Sequence, residues 1–182
     1  MSEHHSVAPP GAPPRPGEFR RWLAWLPVVL WMFLIFVGST DVLSETRTSR
    51  FLVPFLRWMV PGISPTAINR AQAFIRKSGH FTEYAVLAAS VMFALRCSVP
   101  LGAGGRFRRH AALTILLCAV YAMSDEFHQS FIPTRQASVI DVLIDTSGAT
   151  AAVLFWGGLR RLRRRRLQPG VEGGAGPAGE LR

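Results

Sequence analysis

Between Trp22 and Thr40 the chain runs for 19 residues without a charged side chain. At 1.5 Å per residue a helix of that length covers about 28 Å, close to the roughly 30 Å hydrocarbon core of a bilayer. A segment this apolar needs either lipid or a large protein core around it. A chain of 182 residues is bounded at one domain, so the run favours lipid. Composition agrees: 49% of residues are hydrophobic, 18% are charged and the mean hydropathy is +0.22, too apolar for a disordered chain and more apolar than an ordinary soluble domain of this size. Arg20 and Arg21 precede the run, as in a signal peptide, but 19 residues with three tryptophans are long for a cleaved apolar region, so the segment is expected to stay as a span.

Three weaker apolar helices are expected at about Gly79 to Leu95, Ala111 to Met123 and Val139 to Leu159. The expected fold is therefore all-α, an integral membrane bundle of four transmembrane helices. Its long first loop, with the stretch FLVPFLRWMVPG from Phe51 to Gly62, fits either an interfacial helix whose Trp58 and Phe side chains lie among headgroups or a partly buried lid. Residues 1–18, with five prolines, and residues 168–182, rich in Gly and Pro, are expected to be disordered tails around a folded unit at 19–167.

The net charge of +10 comes from 20 Arg and a single Lys, and six of the arginines fall between 160 and 166. Such a concentrated run suits a cytoplasmic anchor on anionic lipid and not a nucleic-acid groove, so no nucleic-acid partner is expected. Counted over alternating loops, fourteen basic residues lie on the side of the termini and seven on the other. That bias predicts a multi-pass membrane protein with both termini in the cytoplasm. Cys97 and Cys118 are too few for a disulfide framework or a cysteine zinc site, and neither a GxSxG nor a P-loop motif is present.

The polar residues of the expected spans gather at one end. Asp41 follows the first span; Lys77, His80, Glu83 and Tyr84 open the second; Asp125, Glu126, His128 and Gln129 close the third; Asp141 and Asp145 open the fourth, with Arg135 in the short loop between. A charge at membrane depth costs roughly 2.5 to 3.5 kcal/mol on insertion scales unless it faces a partner or water, so this convergence predicts a polar site near the outer leaflet. Helical spacing puts His80, Glu83, Tyr84 and Leu87 on one face, Asp125 beside Gln129, and Asp141, Asp145, Gly148 and Ala152 down another. For Gly148 and Ala152 close helix packing is the expected role. The charged set admits three readings. Arg76, Lys77 and Arg135 neutralise Asp125, Glu126 and Asp141 in a buried ion-pair network; or His80 and the carboxylates form an acid/base or binding site; or His80 with Glu83, Asp125 or Asp141 ligates a hard divalent ion.

The segment RKSGHFTEYAVLA from Arg76 to Ala88, followed by SDEFHQSFIPTRQASVIDVLIDTSG from Ser124 to Gly148, resembles the VanZ-like family of small bacterial membrane proteins. The motif carries onto Lys77, His80, Tyr84, Asp125, Glu126, Gln129, Pro133, Arg135, Asp141, Asp145 and Gly148, while Thr134 and Arg76 depart from residues common in the family. The resemblance implies four spans and a family-level association with resistance to the lipoglycopeptide teicoplanin, without a defined reaction. On this basis the expected site binds or modifies an anionic or peptidoglycan-related envelope lipid. His80 with Glu126 or Asp141 would be the catalytic acid/base pair, and Lys77 and Arg135 the headgroup clamp. Tyr84, Asp125, Gln129 and Asp145 complete the binding set, and no metal or cofactor is assigned. The alternative is a non-catalytic accessory protein that limits drug access, its polar residues a structural network.

Overall fold

The computed structural model describes residues 16–40, 45–98, 106–133 and 137–167. Residues 1–15 and 168–182 of the expected tails, and Asp41, Thr134 and Arg135, lie outside the described residues. Six helices make up the fold: α1 (Pro16–Leu23), α2 (Leu26–Ser39), α3 (Glu45–Met59), α4 (Pro65–Ser98), α5 (Arg106–Gln129) and α6 (Val139–Leu167). Among the described residues there is no strand. Three segments, Arg20–Ser39, Pro65–Ser98 and Val139–Arg163, are long and apolar enough to cross a membrane.

The uncharged run that opens the fold is not one unbroken helix. Pro27 stands at the start of α2, and its ring leaves no room for the carbonyl of a helical residue 23, so α1 ends at Leu23 and the chain turns at Ala24 and Trp25. The Trp25 N–H donates to the Trp22 carbonyl at 3.0 Å, and the helix resumes with Val29 N–H on the Trp25 carbonyl at 3.0 Å. Val28, Ile35 and Ser39 form the buried face of α2, while Leu30, Phe33 and Leu34 face outward.

The second expected span is longer than the apolar pattern suggested. α4 begins at Pro65 and runs 34 residues, about 51 Å, because nothing between 65 and 78 breaks a helix and Gly79 is carried inside it. Its first turns meet α3, where Gln72 Nε2 donates to Ser49 Oγ at 2.8 Å. Gly62, at φ +85°, supplies the left-handed residue in the turn from α3 to α4.

Tyr84, Leu87, Ala88, Val91, Ala94 and Leu95 give α4 a buried face, which meets Cys118 and Ala122 of α5 and Ala149 of α6. Small residues let the backbones approach. An ideal Cβ on Gly148 would lie 2.2 Å from the Phe81 carbonyl oxygen, so α6 lies directly on the α4 backbone there. The packing role expected of Gly148 is thus observed, and Ala152 is packed against the same core. Indole and phenol donors fasten α2 to the bundle: Trp31 Nε1 to the Glu83 carbonyl at 2.8 Å, Trp25 Nε1 to Ser98 Oγ at 2.9 Å and, from α5, Tyr121 Oη to the Met32 carbonyl at 2.7 Å.

The two ends of the bundle differ in charge. At one end Arg96 sits over the Trp156 ring at 5.3 Å and Arg160 over the Phe107 ring at 4.9 Å, beside Arg108, Arg109 and the arginines that close α6. At the other end lie Ser39, the middle of α4, the last turn of α5 and the first turns of α6.

Candidate functional site

Four helices bring polar side chains to that second end. α2 and α5 meet through a three-residue cluster: Ser39 Oγ donates to Asp125 Oδ2 at 2.8 Å, and Gln129 Nε2, one turn along α5, donates to the same oxygen at 3.0 Å and to Ser39 Oγ at 3.4 Å. All three are buried. The next residue on α5, Glu126, is also buried and joins α5 to α6, its Oε2 accepting the Ser138 N–H at 2.7 Å just before α6 begins. A carboxylate at that end of the helix also meets the positive pole of its dipole.

α6 faces α4 with two carboxylates one turn apart. Asp141 lies near the rim, with Arg76 Nη2 at 3.6 Å and Lys77 Nζ at 3.7 Å, both cations half-exposed. Asp145 lies deeper, wholly buried, with its Oδ1 3.2 Å from His80 Nδ1. One donor atom from each of His80, Glu126 and Asp145 falls within 4.8 Å of the other two. Tyr84, one turn beyond His80, is wholly buried with its ring 6.2 Å from Tyr121.

Several of these polar atoms have no hydrogen-bond partner in the protein: Asp145 Oδ2, Glu126 Oε1, Asp125 Oδ1 and Tyr84 Oη, while Asp145 Oδ1 and Asp141 Oδ1 have His80 and Lys77 as ion-pair partners. Native proteins satisfy nearly all buried polar atoms. Four such atoms lie together at this end of the bundle.

The structure places Lys77, His80, Tyr84, Asp125, Glu126, Gln129, Asp141 and Asp145 at this one end of the bundle, with Arg135 outside the described residues. The structure brings Asp141 to Arg76 and Lys77 and places His80 close to Glu126, as the sequence allowed, and departs from it in the other pairings. Arg76 and Lys77 both meet Asp141, and neither reaches Asp125 or Glu126 among the ion pairs of the described residues. His80 stands beside Asp145, not Asp141. His128 stacks on Phe36, ring centroids 4.7 Å apart, and the Glu83 backbone carbonyl receives the Trp31 indole. Sequence reasoning missed Ser39 and the Ser138 N–H. Ser39 had a signal, a small hydroxyl at the end of an apolar run and level with the acidic residues; Ser138 had none, because its contribution is backbone.

Comparison with known proteins adds one match. Residues 24–160 fit the family model described as VanZ/LLP1, well over half of the chain. The chain belongs to the VanZ/LLP1 family. No curated protein and no solved structure matches it. The VanZ/LLP1 match takes in every residue of the polar cluster, from Ser39 to Asp145. Together with the three long apolar helices it makes this a membrane protein.

Proposed function

We propose that this VanZ/LLP1 protein is a four-span protein of the bacterial plasma membrane whose polar end opens outward and binds the anionic headgroup of an envelope lipid. The observation that carries the reading is the set of unmet buried polar atoms behind a rim that bears Arg76 and Lys77. Lys offers phosphate a point charge and Arg a bidentate fork. A purely structural network would satisfy its own members. The Ser39–Asp125–Gln129 cluster does so in large part and favours the accessory, drug-limiting alternative for those three residues alone.

α5 supports the fourth span through its outward stripe of Leu113, Leu116, Leu117, Val120, Met123 and Phe127, large apolar side chains that suit lipid. The uncharged stretch from His110 to Ser124 covers only about 22 Å, so its flanking arginines and acids would sit at headgroup depth. On α3 the exposed Phe51, Phe55 and Trp58 recur along one side of the helix, as an interfacial helix requires.

Topology has a direct test. Cys118 is wholly buried and Cys97 is exposed near the arginine-rich end, so the native chain already carries one reporter. In intact cells an impermeant maleimide is expected to label Ser130→Cys in a Cys97→Ser background and to spare native Cys97; the reverse pattern would turn the protein over and end the outer-leaflet reading.

Headgroup binding is tested by lipid retention. Purified wild-type protein in nanodiscs doped with phosphatidylglycerol is expected to hold that lipid through detergent washing, read by native mass spectrometry. The Arg76→Gln/Lys77→Gln pair should retain about tenfold less, on the scale of one or two lost charge-assisted contacts. An Arg108→Gln/Arg109→Gln pair at the opposite end serves as control, and equal loss from both pairs would reduce the effect to general charge.

A further inference from the structure

The deepest part of the cluster is made of three side chains from three helices, His80 of α4, Glu126 of α5 and Asp145 of α6. We propose that these three ligate a divalent first-row metal ion, with zinc the closest match to one imidazole and two carboxylates. The inference does not depend on the headgroup reading, which concerns the cations at the rim.

Geometry carries it. One donor atom from each residue lies within 4.8 Å of the others. Bonds of 2.0 to 2.2 Å in a tetrahedral site set donors about 3.3 to 3.6 Å apart, so side-chain rotations of about an ångström at the donor atoms would close the site. The helices need not move. Three protein ligands leave a fourth position open, the arrangement of zinc sites that bind water or substrate.

The unmet atoms point the same way and are independent of the spacing. Asp145 has no exposed surface, and its Oδ2 has no hydrogen-bond partner in the protein. Its Oδ1 pairs with His80 Nδ1 at 3.2 Å, which brings the imidazole and the carboxylate to one point. Glu126 divides its labour: Oε2 is fixed by the Ser138 N–H at 2.7 Å while Oε1 is unmet. An outer contact that orients one oxygen and presents the other is the usual support of a metal-bound carboxylate.

Charge adds a third argument. Asp125, Glu126, Asp141 and Asp145 are all buried, while the two cations paired with them among the described residues both meet Asp141. A divalent ion beside Asp145 and Glu126 would offset the negative charge left in the interior. The sequence had suggested His80 with Glu83, Asp125 or Asp141 as ligands; the structure instead selects Glu126 and Asp145.

The test uses the full chain, purified in detergent without an affinity tag, stripped with a chelator and titrated with zinc chloride by calorimetry. One zinc per chain is expected. Asp145→Asn, His80→Gln and Glu126→Gln should each weaken binding at least tenfold. Glu126→Gln keeps an acceptor for the Ser138 N–H and so tests ligation with that outer contact retained. His4→Ala/His5→Ala, in the N-terminal tail, should leave zinc binding unchanged. Should a cluster variant fail to fold, the His4→Ala/His5→Ala/His110→Asn/His128→Gln chain, in which His80 is the remaining histidine, answers the same question when loaded with copper, electron-spin-echo modulation from one imidazole being expected. Absence of saturable zinc binding would overturn the proposal in favour of a proton shared between His80 and Asp145. Binding that survives Asp145→Asn, binding abolished by the tail variant, or copper without an imidazole ligand would overturn it as well.

Discussion

Gly148→Ala is expected to remove most of the folded protein, although it adds a single methyl group. The new Cβ would lie 2.2 Å from the Phe81 carbonyl oxygen, 2.9 Å from its carbon and 3.1 Å from its Cα. These are backbone atoms of α4, which no rotamer change can move aside. Overpacking a core costs about 1 to 3 kcal/mol even where side chains can yield; here the two helices must separate, and the expected loss is at the upper end of that range or beyond. The damage also reaches the site, because Phe81 follows His80 on α4 and Gly148 lies less than one turn from Asp145 on α6. Other helical glycines calibrate the result. At Gly157 a Cβ would meet the Phe107 ring edge at 3.0 Å, and the ring can swing, so Gly157→Ala should cost less. Gly79 and Gly158 have nothing within 4 Å. Alanine there should be neutral or stabilising by up to about 1 kcal/mol, the helix-propensity difference. Midpoints of thermal aggregation in detergent, followed by fluorescence size-exclusion chromatography, order the four variants. A Gly148→Ala midpoint equal to that of Gly158→Ala would contradict the backbone contact.

The same contact shows what the sequence could and could not disclose. Gly148 and Ala152, four residues apart on an apolar helix, announced a close approach because small residues at that spacing have few other uses in lipid. The opposing surface, the Phe81 carbonyl, left no mark, since every residue has one. Apolar periodicity found the helices yet misjudged their ends wherever the decisive fact was steric. Pro27 divides the first apolar run, and no breaker stops α4 from starting at Pro65. Spacing also gathered these polar residues at one end, because burial in lipid penalises scattered charge. It could not choose partners among them. Asp141 and Asp145 share a face of α6, and the packing of α4 on α6 gives the outer one to Arg76 and Lys77 and the inner one to His80.

Asp125→Ala is expected to be nearly as damaging as Gly148→Ala, for the opposite reason: it empties a place that two other groups need. Ser39 and Gln129 are both buried and both donate to Asp125 Oδ2, so the truncation leaves them only their mutual contact at 3.4 Å. An unsatisfied buried polar group costs about 1 to 3 kcal/mol, and two such groups inside the bundle should lower abundance severalfold and cut the thermal midpoint sharply. Replacing all three residues removes the debt at its source, because polar partners exchanged together for apolar groups of similar shape are often nearly neutral. The Ser39→Ala/Asp125→Leu/Gln129→Leu protein should therefore recover most of the stability lost by Asp125→Ala. It should also still bind zinc one to one, since none of its changes touches His80, Glu126 or Asp145. Recovery of both would make Asp125 a clasp between α2 and α5. Recovery of stability with loss of zinc would instead draw its unmet Oδ1 into the metal centre. A triple variant as unstable as Asp125→Ala would mean that the carboxylate serves the fold through a contact other than the two it makes with Ser39 and Gln129.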